Sequence, residues 1–290
     1  MKHKKVSAPN KFTLDDSVIF EGDAFHVLQR IPSKSVRCVV TSPPYWGLRD
    51  YGIEGQIGLE ESLTQFINHL VSIFNEIKRV LTDDGTLWLN IGDGYTSGNR
   101  GYRAADKKNP ARAMSVRPDT PEGLKPKDLL GIPWRLAFAL QNDGWYLRSD
   151  IVWHKPNAMP ESVKDRPTRA HEYLFMLTKS ERYYYDYEAV KEIGSNGKLR
   201  NRRSVWNIKT QGFQGAHFAT FPPQLIEPCI LASSRPGDYV LDPFFGSGTV
   251  GLVCIEKDRK YVGIELHPEY VSIAAERLRA KEDRIIKVAV

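Results

Sequence analysis

The sequence has little cysteine and no long apolar run, and each shortage removes a class of function. Its three cysteines, Cys38, Cys229 and Cys254, are scattered and odd in number, which suits neither a disulfide framework nor the close pairs that bind zinc. All three stand in apolar runs and read as reduced packing residues. The pair Pro228-Cys229 is the arrangement most suggestive of a nucleophile, yet it lies within PPQLIEPCILASS, which reads as a helix with Cys229 on its apolar face. No stretch approaches the roughly 18 consecutive apolar residues of a membrane span. The basic start, MKHKKVSAPN, is not followed by the apolar core of a signal peptide. Low-complexity tracts, internal repeats and metal-ligand spacings are also missing, so the expectation is a cytoplasmic protein, without membrane attachment and without a bound metal.

What is present is an ordinary globular composition, 41% hydrophobic and 26% charged over 290 residues. That is enough chain for one large core, and a single domain over residues 1–290 is expected. Lys and Arg exceed Asp and Glu by six. The excess is concentrated in two stretches. Residues 94–128 form a Gly/Pro-broken basic loop, and 191–209 form a second basic run with Trp206 embedded. Two such stretches beside a compact pattern point towards a nucleic-acid partner.

Strands are expected at 17–23, 35–42, 85–93, 146–154, 171–180, 238–244 and 259–266, several of them apolar nearly throughout, as in strands buried on both faces. Helical spacing occupies 63–81, 128–144, 221–234, 249–257 and 268–281. The alternation predicts an α/β fold, a doubly wound, mostly parallel sheet of seven strands.

Within VLDPFFGSGTVGLVCIEKDRKYVGIEL, an apolar strand runs into Asp242, turns through Gly246-Ser247-Gly248 and enters a helix at Thr249. The next strand ends at Glu265, 19 residues past Gly246, near the spacing of roughly 20 at which an acid accepts hydrogen bonds from ribose hydroxyls. The third glycine of a dinucleotide loop is missing, and the charge of Asp242 would oppose a pyrophosphate. S-adenosylmethionine, with an ammonium, a sulfonium and a ribose but no phosphate, fits this unit better. Early in the chain, SVRCVV leads into TSPPYWGLRD, where Pro43 and Pro44 fix the chain direction beside two large rings, Tyr45 and Trp46.

TSPPY, DPFFGSGT and GIEL together resemble the amino-methylating DNA methyltransferases that use S-adenosylmethionine. The catalytic motif comes first and the cofactor loop last, the permuted order of the beta group, and the likeness extends over roughly residues 17–280. A leading serine is the form typical of cytosine-N4 enzymes; adenine-N6 enzymes more usually carry Asp or Asn there. The resemblance implies the Rossmann-like methyltransferase sheet and double-stranded DNA as partner. It implies a site-specific enzyme of a restriction-modification system beside a cognate restriction endonuclease, as a monomer or a homodimer.

Ser42 Oγ and the Pro43 carbonyl would then accept the hydrogens of the target amine, with Pro44 stiffening the turn and Tyr45 stacking a base flipped out of the duplex. Asp23, Asp242, Phe244, Gly246, Ser247, Gly248, Thr249 and Glu265 would hold the cofactor. Phe218 and Thr220, in HFATFPPQL, would close over its methionine end. Asp23 serves equally as a helix N-cap, Phe244 or Phe245 as plain core, and His217 as a structural residue. Trp153, Lys155 and Asn157, in SDIVWHKPN, would line the target pocket or take packing or phosphate roles. Residues 182–215 correspond to the target-recognition segment, where Arg200, Arg202 and Arg203 would read guanine edges or grip phosphates. Adenine-N6 methylation, a small-molecule or RNA methyltransferase and a non-catalytic binding module remain the alternatives.

Overall fold

Strand and helix alternate along the chain as the hydropathy pattern requires. The computed structural model describes residues 14, 16–97, 118–211, 220–281 and 287–289. Its elements run β1 (Val18–Glu21), α1 (Ala24–Arg30), β2 (Val36–Thr41), α2 (Leu63–Val80), β3 (Leu81–Ile91), α3 (Ile132–Asn142), β4 (Tyr146–His154) and β5 (His171–Thr178). They continue with β6 (Glu192–Ile193), β7 (Leu199–Arg200), β8 (Val205–Asn207), α4 (Pro223–Ser233), β9 (Tyr239–Asp242), α5 (Thr249–Glu256), β10 (Lys260–Glu265), α6 (Pro268–Arg279) and β11 (Lys287–Ala289).

The seven expected strands are all present, but among the described residues the main sheet has nine, in the order β11-β1-β10-β9-β2-β3-β5-β4-β8. The two additions, β8 and β11, are three-residue strands at its edges, and β6 pairs with β7 in a separate hairpin. Among the described residues every pairing in the main sheet is parallel except those of β5 with β3 and β4.

Alternation along each strand divides the core into two layers. Val39 and Leu89 face the layer formed with α1, α2 and α3, while Cys38, Val40 and Trp88 face α4, α5 and α6. Helix α2 starts at a Ser62–Gln65 capping box and buries Phe66, Leu70, Ile73, Phe74 and Ile77 on one face. Truncating one such side chain to Ala costs about 2–5 kcal/mol. The three thiols are buried, and burial pushes each above its ordinary pKa, that of Cys38 to about 12. Cys229 sits on the apolar face of α4 as expected and stays a thiol, the unreactive form.

The pairing that matters most for the site is β2 with β9, in register at Cys38↔Val240 and Val39↔Leu241. From this pair the sheet grows one way towards β3 and the other way towards β10. A reversal of that kind leaves a crevice beyond the carboxyl ends of the two strands, where open α/β sheets bind ligands.

Candidate functional site: a cleft between two loops

A cleft of about 760 Å³ opens there, an ordinary size for a ligand site. Its floor joins the two loops, because Thr41 Oγ1, at the end of β2, donates to Asp242 Oδ1, at the end of β9, at 2.7 Å across 201 residues of sequence. Asp242 is buried and also accepts from the Phe244 amide at 3.0 Å. Burial raises its carboxyl pKa to about 7.

Pro43 has no N–H, so the ladder between β2 and β3 stops at Thr41↔Leu89. Ser42, Pro43, Pro44 and Tyr45 then line the cleft. Trp46 takes a different direction: it is buried, and its Nε1 donates to the Glu60 carbonyl at 2.9 Å. Tyr45 is therefore the ring of this motif that faces the cleft. Its hydroxyl donates to Glu172 Oε2 at 2.9 Å, Asn90 Nδ2 donates to the same oxygen at 3.3 Å, and Lys155 Nζ pairs with Glu172 Oε1. Lys155 Nζ also lies 4.1 Å from the centre of the Trp153 ring. Burial, reinforced by the charge of Glu172, holds the Tyr45 phenol well above its usual pKa, so it remains a donor.

The glycine loop is pinned from three sides. The Gly246 amide donates to Glu265 Oε2 at 2.8 Å and the His267 amide to Oε1 at 2.8 Å. The Phe245 amide donates to the Ile264 carbonyl at 2.9 Å. Arg277 Nη1, reaching from α6, donates to the Ser247 carbonyl and to Ser247 Oγ, both at 2.9 Å, and to Thr249 Oγ1 at 3.2 Å. Gly246 and Gly248 hold φ of +50° and +77°, backbone that other residues adopt at a cost. Burial raises the Glu265 pKa as well.

Of the residues expected at the cofactor, Asp23, Thr220, Asp242, Phe244, Gly246, Ser247, Thr249 and Glu265 line this one cleft. Asp23 is also the N-cap of α1, accepting from the His26 amide at 3.0 Å, so its capping reading holds. Gly248 stands behind the loop against α6, where a Cβ would come within 3.2 Å of Ala274. Phe245 packs in the core, its ring lying over Gly263, while Phe244 faces the cleft. Phe218 and His217 lie outside the described residues.

Trp153 and Lys155 share the cleft. Asn157 is exposed and clips Thr210 with two hydrogen bonds, at 3.0 and 2.9 Å. Arg200, Arg202 and Arg203 are elsewhere, around a separate hollow of about 580 Å³ beside β8. There Arg200 is paired with Glu192 at 2.8 Å, and Arg202 lies 4.6 Å over Trp206. The two ends of the 94–128 insertion meet: the Thr96 amide donates to the Asp128 carbonyl and the Leu130 amide to the Gly94 carbonyl. Residues 98–117 between them are outside the described part.

Sequence reasoning passed over Glu172, Asn90, Gly92 and Arg277. Glu172 carried a readable signal, an acid near the start of a strand whose middle, Leu174–Leu177, is apolar; the other three carried none.

The cleft suits S-adenosylmethionine. Three carboxylates, from Asp23, Asp242 and Glu265, line it, which favours an ammonium and ribose hydroxyls over phosphate. His267 Nδ1, at the same end, is buried and has no hydrogen-bond partner among the described residues.

A family model described as DNA methylase matches residues 36–276. The type II methyltransferase M.Cfr9I of Citrobacter freundii is 74% identical, over 99% of this chain and 95% of its own length. M.SmaI of Serratia marcescens is 62% identical over 90% of each chain. Among solved structures, the DNA modification methylase TTHA0409 of Thermus thermophilus, in complex with S-adenosyl-L-methionine, superposes with a TM-score of 0.66 at 25% identity, covering 94% of this chain and 98% of its own. The PvuII cytosine-N4-specific DNA methyltransferase superposes at 0.68 with 22% identity, covering 97% and 98%, a likeness of fold. With the fold of S-adenosylmethionine-dependent methyltransferases and a family match across most of its length, this chain belongs to the DNA methylase family and is a DNA methyltransferase of the type II, restriction-modification kind.

Proposed function

We propose that the chain methylates the exocyclic N4 of cytosine, in a base flipped out of double-stranded DNA at a specific sequence. The observation that carries this reading is Ser42 at the head of Ser-Pro-Pro-Tyr, lining the same cleft as Asp23, Asp242 and Glu265.

Cytosine N4 is a weak nucleophile because its lone pair is delocalised into the ring. Ser42 Oγ and the Pro43 carbonyl accept its two hydrogens, which lets the nitrogen become more tetrahedral and directs its lone pair away from the loop. The prolines hold the carbonyl's aim without reorganisation as charge develops. Tyr45 offers its face to the extruded base, and stacking returns roughly 1–3 kcal/mol of the few kcal/mol that extrusion costs. Glu265 accepts from the ribose of the cofactor, Asp242 and Asp23 face its positive charge, and Phe244 packs against it. S-adenosylmethionine, when bound, supplies an electrophilic methyl group. No cysteine nucleophile is required, in keeping with three buried thiols.

Lys155 and Trp153 complete the wall of the target pocket. Arg202 and Arg203 supply positive charge for DNA, and the basic composition of 94–128 adds to it. The kinship with type II methyltransferases supports a cognate restriction endonuclease as the partner in function.

The test is mass spectrometry of nucleosides digested from mixed-sequence duplex DNA after incubation with the protein and S-adenosylmethionine. N4-methylcytosine is expected. N6-methyladenine would overturn the base assignment while keeping the cleft's roles, and no methylated nucleoside would overturn the catalytic reading of Ser42.

A further inference from the structure

We propose that Glu172 is a positioning residue: together with Lys155 and Gly92 it fixes the Tyr45 ring as a ready-made platform for the flipped base. This rests on the reading of the chain as a base-flipping methyltransferase. A tyrosine on a loop after two prolines has a stiff backbone but a free side chain, since the prolines do nothing for its two side-chain torsions. Two contacts, one from β5 and one from the backbone just past β3, remove that freedom, and an ion pair braces the first.

The first is the hydrogen bond from the Tyr45 hydroxyl to Glu172 Oε2 at 2.9 Å. Glu172 lies near the start of β5, and its carboxylate is itself held: Asn90 of β3 donates to the same oxygen at 3.3 Å, and Lys155, just beyond β4, pairs with the other. The Lys155 ammonium is seated in turn over the Trp153 ring. The second contact is steric. Gly92 follows β3, and a Cβ there would lie 2.6 Å from Tyr45 Cε2 and 3.2 Å from Cζ. The ring therefore rests directly on the backbone at the end of β3, and only glycine permits it. The brace on the first contact is the pair Glu172–Lys155, with both side chains less than a fifth exposed. Charged pairs this sheltered gain little stability over apolar packing, so the fold alone does not call for one here. What the pair does achieve is to direct one fixed acceptor at one hydroxyl.

A plate oriented in advance removes the ordering of Tyr45 from the barrier to base capture. The structure thus assigns Glu172 to the rate of methyl transfer through Tyr45, with no contact to the reacting atoms.

Single-turnover methylation of mixed-sequence duplex DNA at saturating S-adenosylmethionine, with thermal melting as a check on folding, tests this. The wild type must first form methylated nucleoside; its failure would sink the underlying reading rather than this one. Tyr45→Phe keeps the ring and removes the anchor, and Glu172→Gln leaves one acceptor oxygen for three donors. Each is expected to slow transfer about tenfold or more, since small misplacements at a reacting centre cost up to ~100-fold. The double variant is expected to be no slower than Glu172→Gln alone, because the two changes break one interaction. Effects that multiply, or a wild-type rate in either single variant, would overturn the proposal. Gly92→Ala keeps the test open if Glu172→Gln melts early: the glycine's backbone is not left-handed, so alanine is allowed there and acts on the ring. It should slow transfer in the wild-type background and have no effect beside Tyr45→Ala; an equal loss in both backgrounds would also overturn the proposal.

Discussion

The loop after β2 and the loop after β9 leave neighbouring strands and meet in one cleft, but they are made rigid in opposite ways. In Ser-Pro-Pro-Tyr the constraint is covalent, because two proline rings fix φ and end the sheet ladder. Only its tyrosine needs outside support, from Glu172. In Gly-Ser-Gly the backbone is intrinsically free, and rigidity is imported from Glu265, the Ile264 carbonyl and Arg277. The difference follows from what each loop presents. A carbonyl that must point in one direction is best carried by proline, whereas amides that must approach a ligand closely need glycine and then a set of braces.

Removing a chemical group from the first loop should produce the largest effect. Ser42→Ala deletes the acceptor proposed for the amine and leaves every brace of the second loop intact. Turnover is expected to fall by about 100-fold or more, as when one hydrogen-bonding group of a reacting centre is lost. Calorimetry should find cofactor affinity unchanged; a variant that turns over normally would remove Ser42 from the chemistry. Loosening the second loop should give a smaller effect of a different kind. Arg277→Met withdraws three hydrogen bonds from Ser247 and Thr249, and we expect the KM for S-adenosylmethionine to rise roughly tenfold with kcat nearly constant. A loss confined to kcat would show that the two loops are not separable in this way.

An effect on stability, with no change of chemistry, lies where the loops touch. In the unfolded chain Asp242 ionises near pH 4, whereas in the cleft floor burial holds its proton up to about pH 7. Its contribution to stability is therefore full below about pH 4 and is lost as pH rises to 7, by at most roughly 1.4 kcal/mol per pH unit. Asp242→Asn keeps an acceptor for Thr41 and cannot ionise, so its stability should vary less between pH 4 and 7. Urea midpoints measured at pH 5 and 7 check this, and the same pH dependence in both proteins would contradict it.

Much of the fold was legible because burial on two faces writes itself into long apolar strands such as SVRCVV and helices such as LTQFINHLVSIFNEIKRV. Strand β8 was not legible: Val205 and Asn207 are exposed and Trp206 alone is buried, so its three residues carry almost no pattern, and it exists because the edge of β4 is there to receive it. Helix α1 was signalled only by Asp23 as a cap, since its seven residues are too few to establish a period. The two loops could be found because prolines, glycines and an acid at fixed spacing are local features. Arg277 and Asn90 could not, since each matters only through a partner brought close by the sheet or by helix packing. Gly92 shows nothing in sequence beyond a residue that ends a strand, and its role emerges only when the Tyr45 ring is placed against it.

The hydrogen bond from Thr41 to Asp242 spans 201 residues, and that separation bears on quality control. Each half of the cleft belongs to a different part of the chain, and neither is complete until β2 and β9 lie side by side. Long-range pairings of this kind form late, after the loop between them has been closed. A chain still being synthesised, or one whose last βαβ unit has opened, can assemble the proline loop and bury most of the α1–α3 layer without having a place for cofactor and target together. Methylating activity would then report on completed folding, and incomplete molecules would be silent.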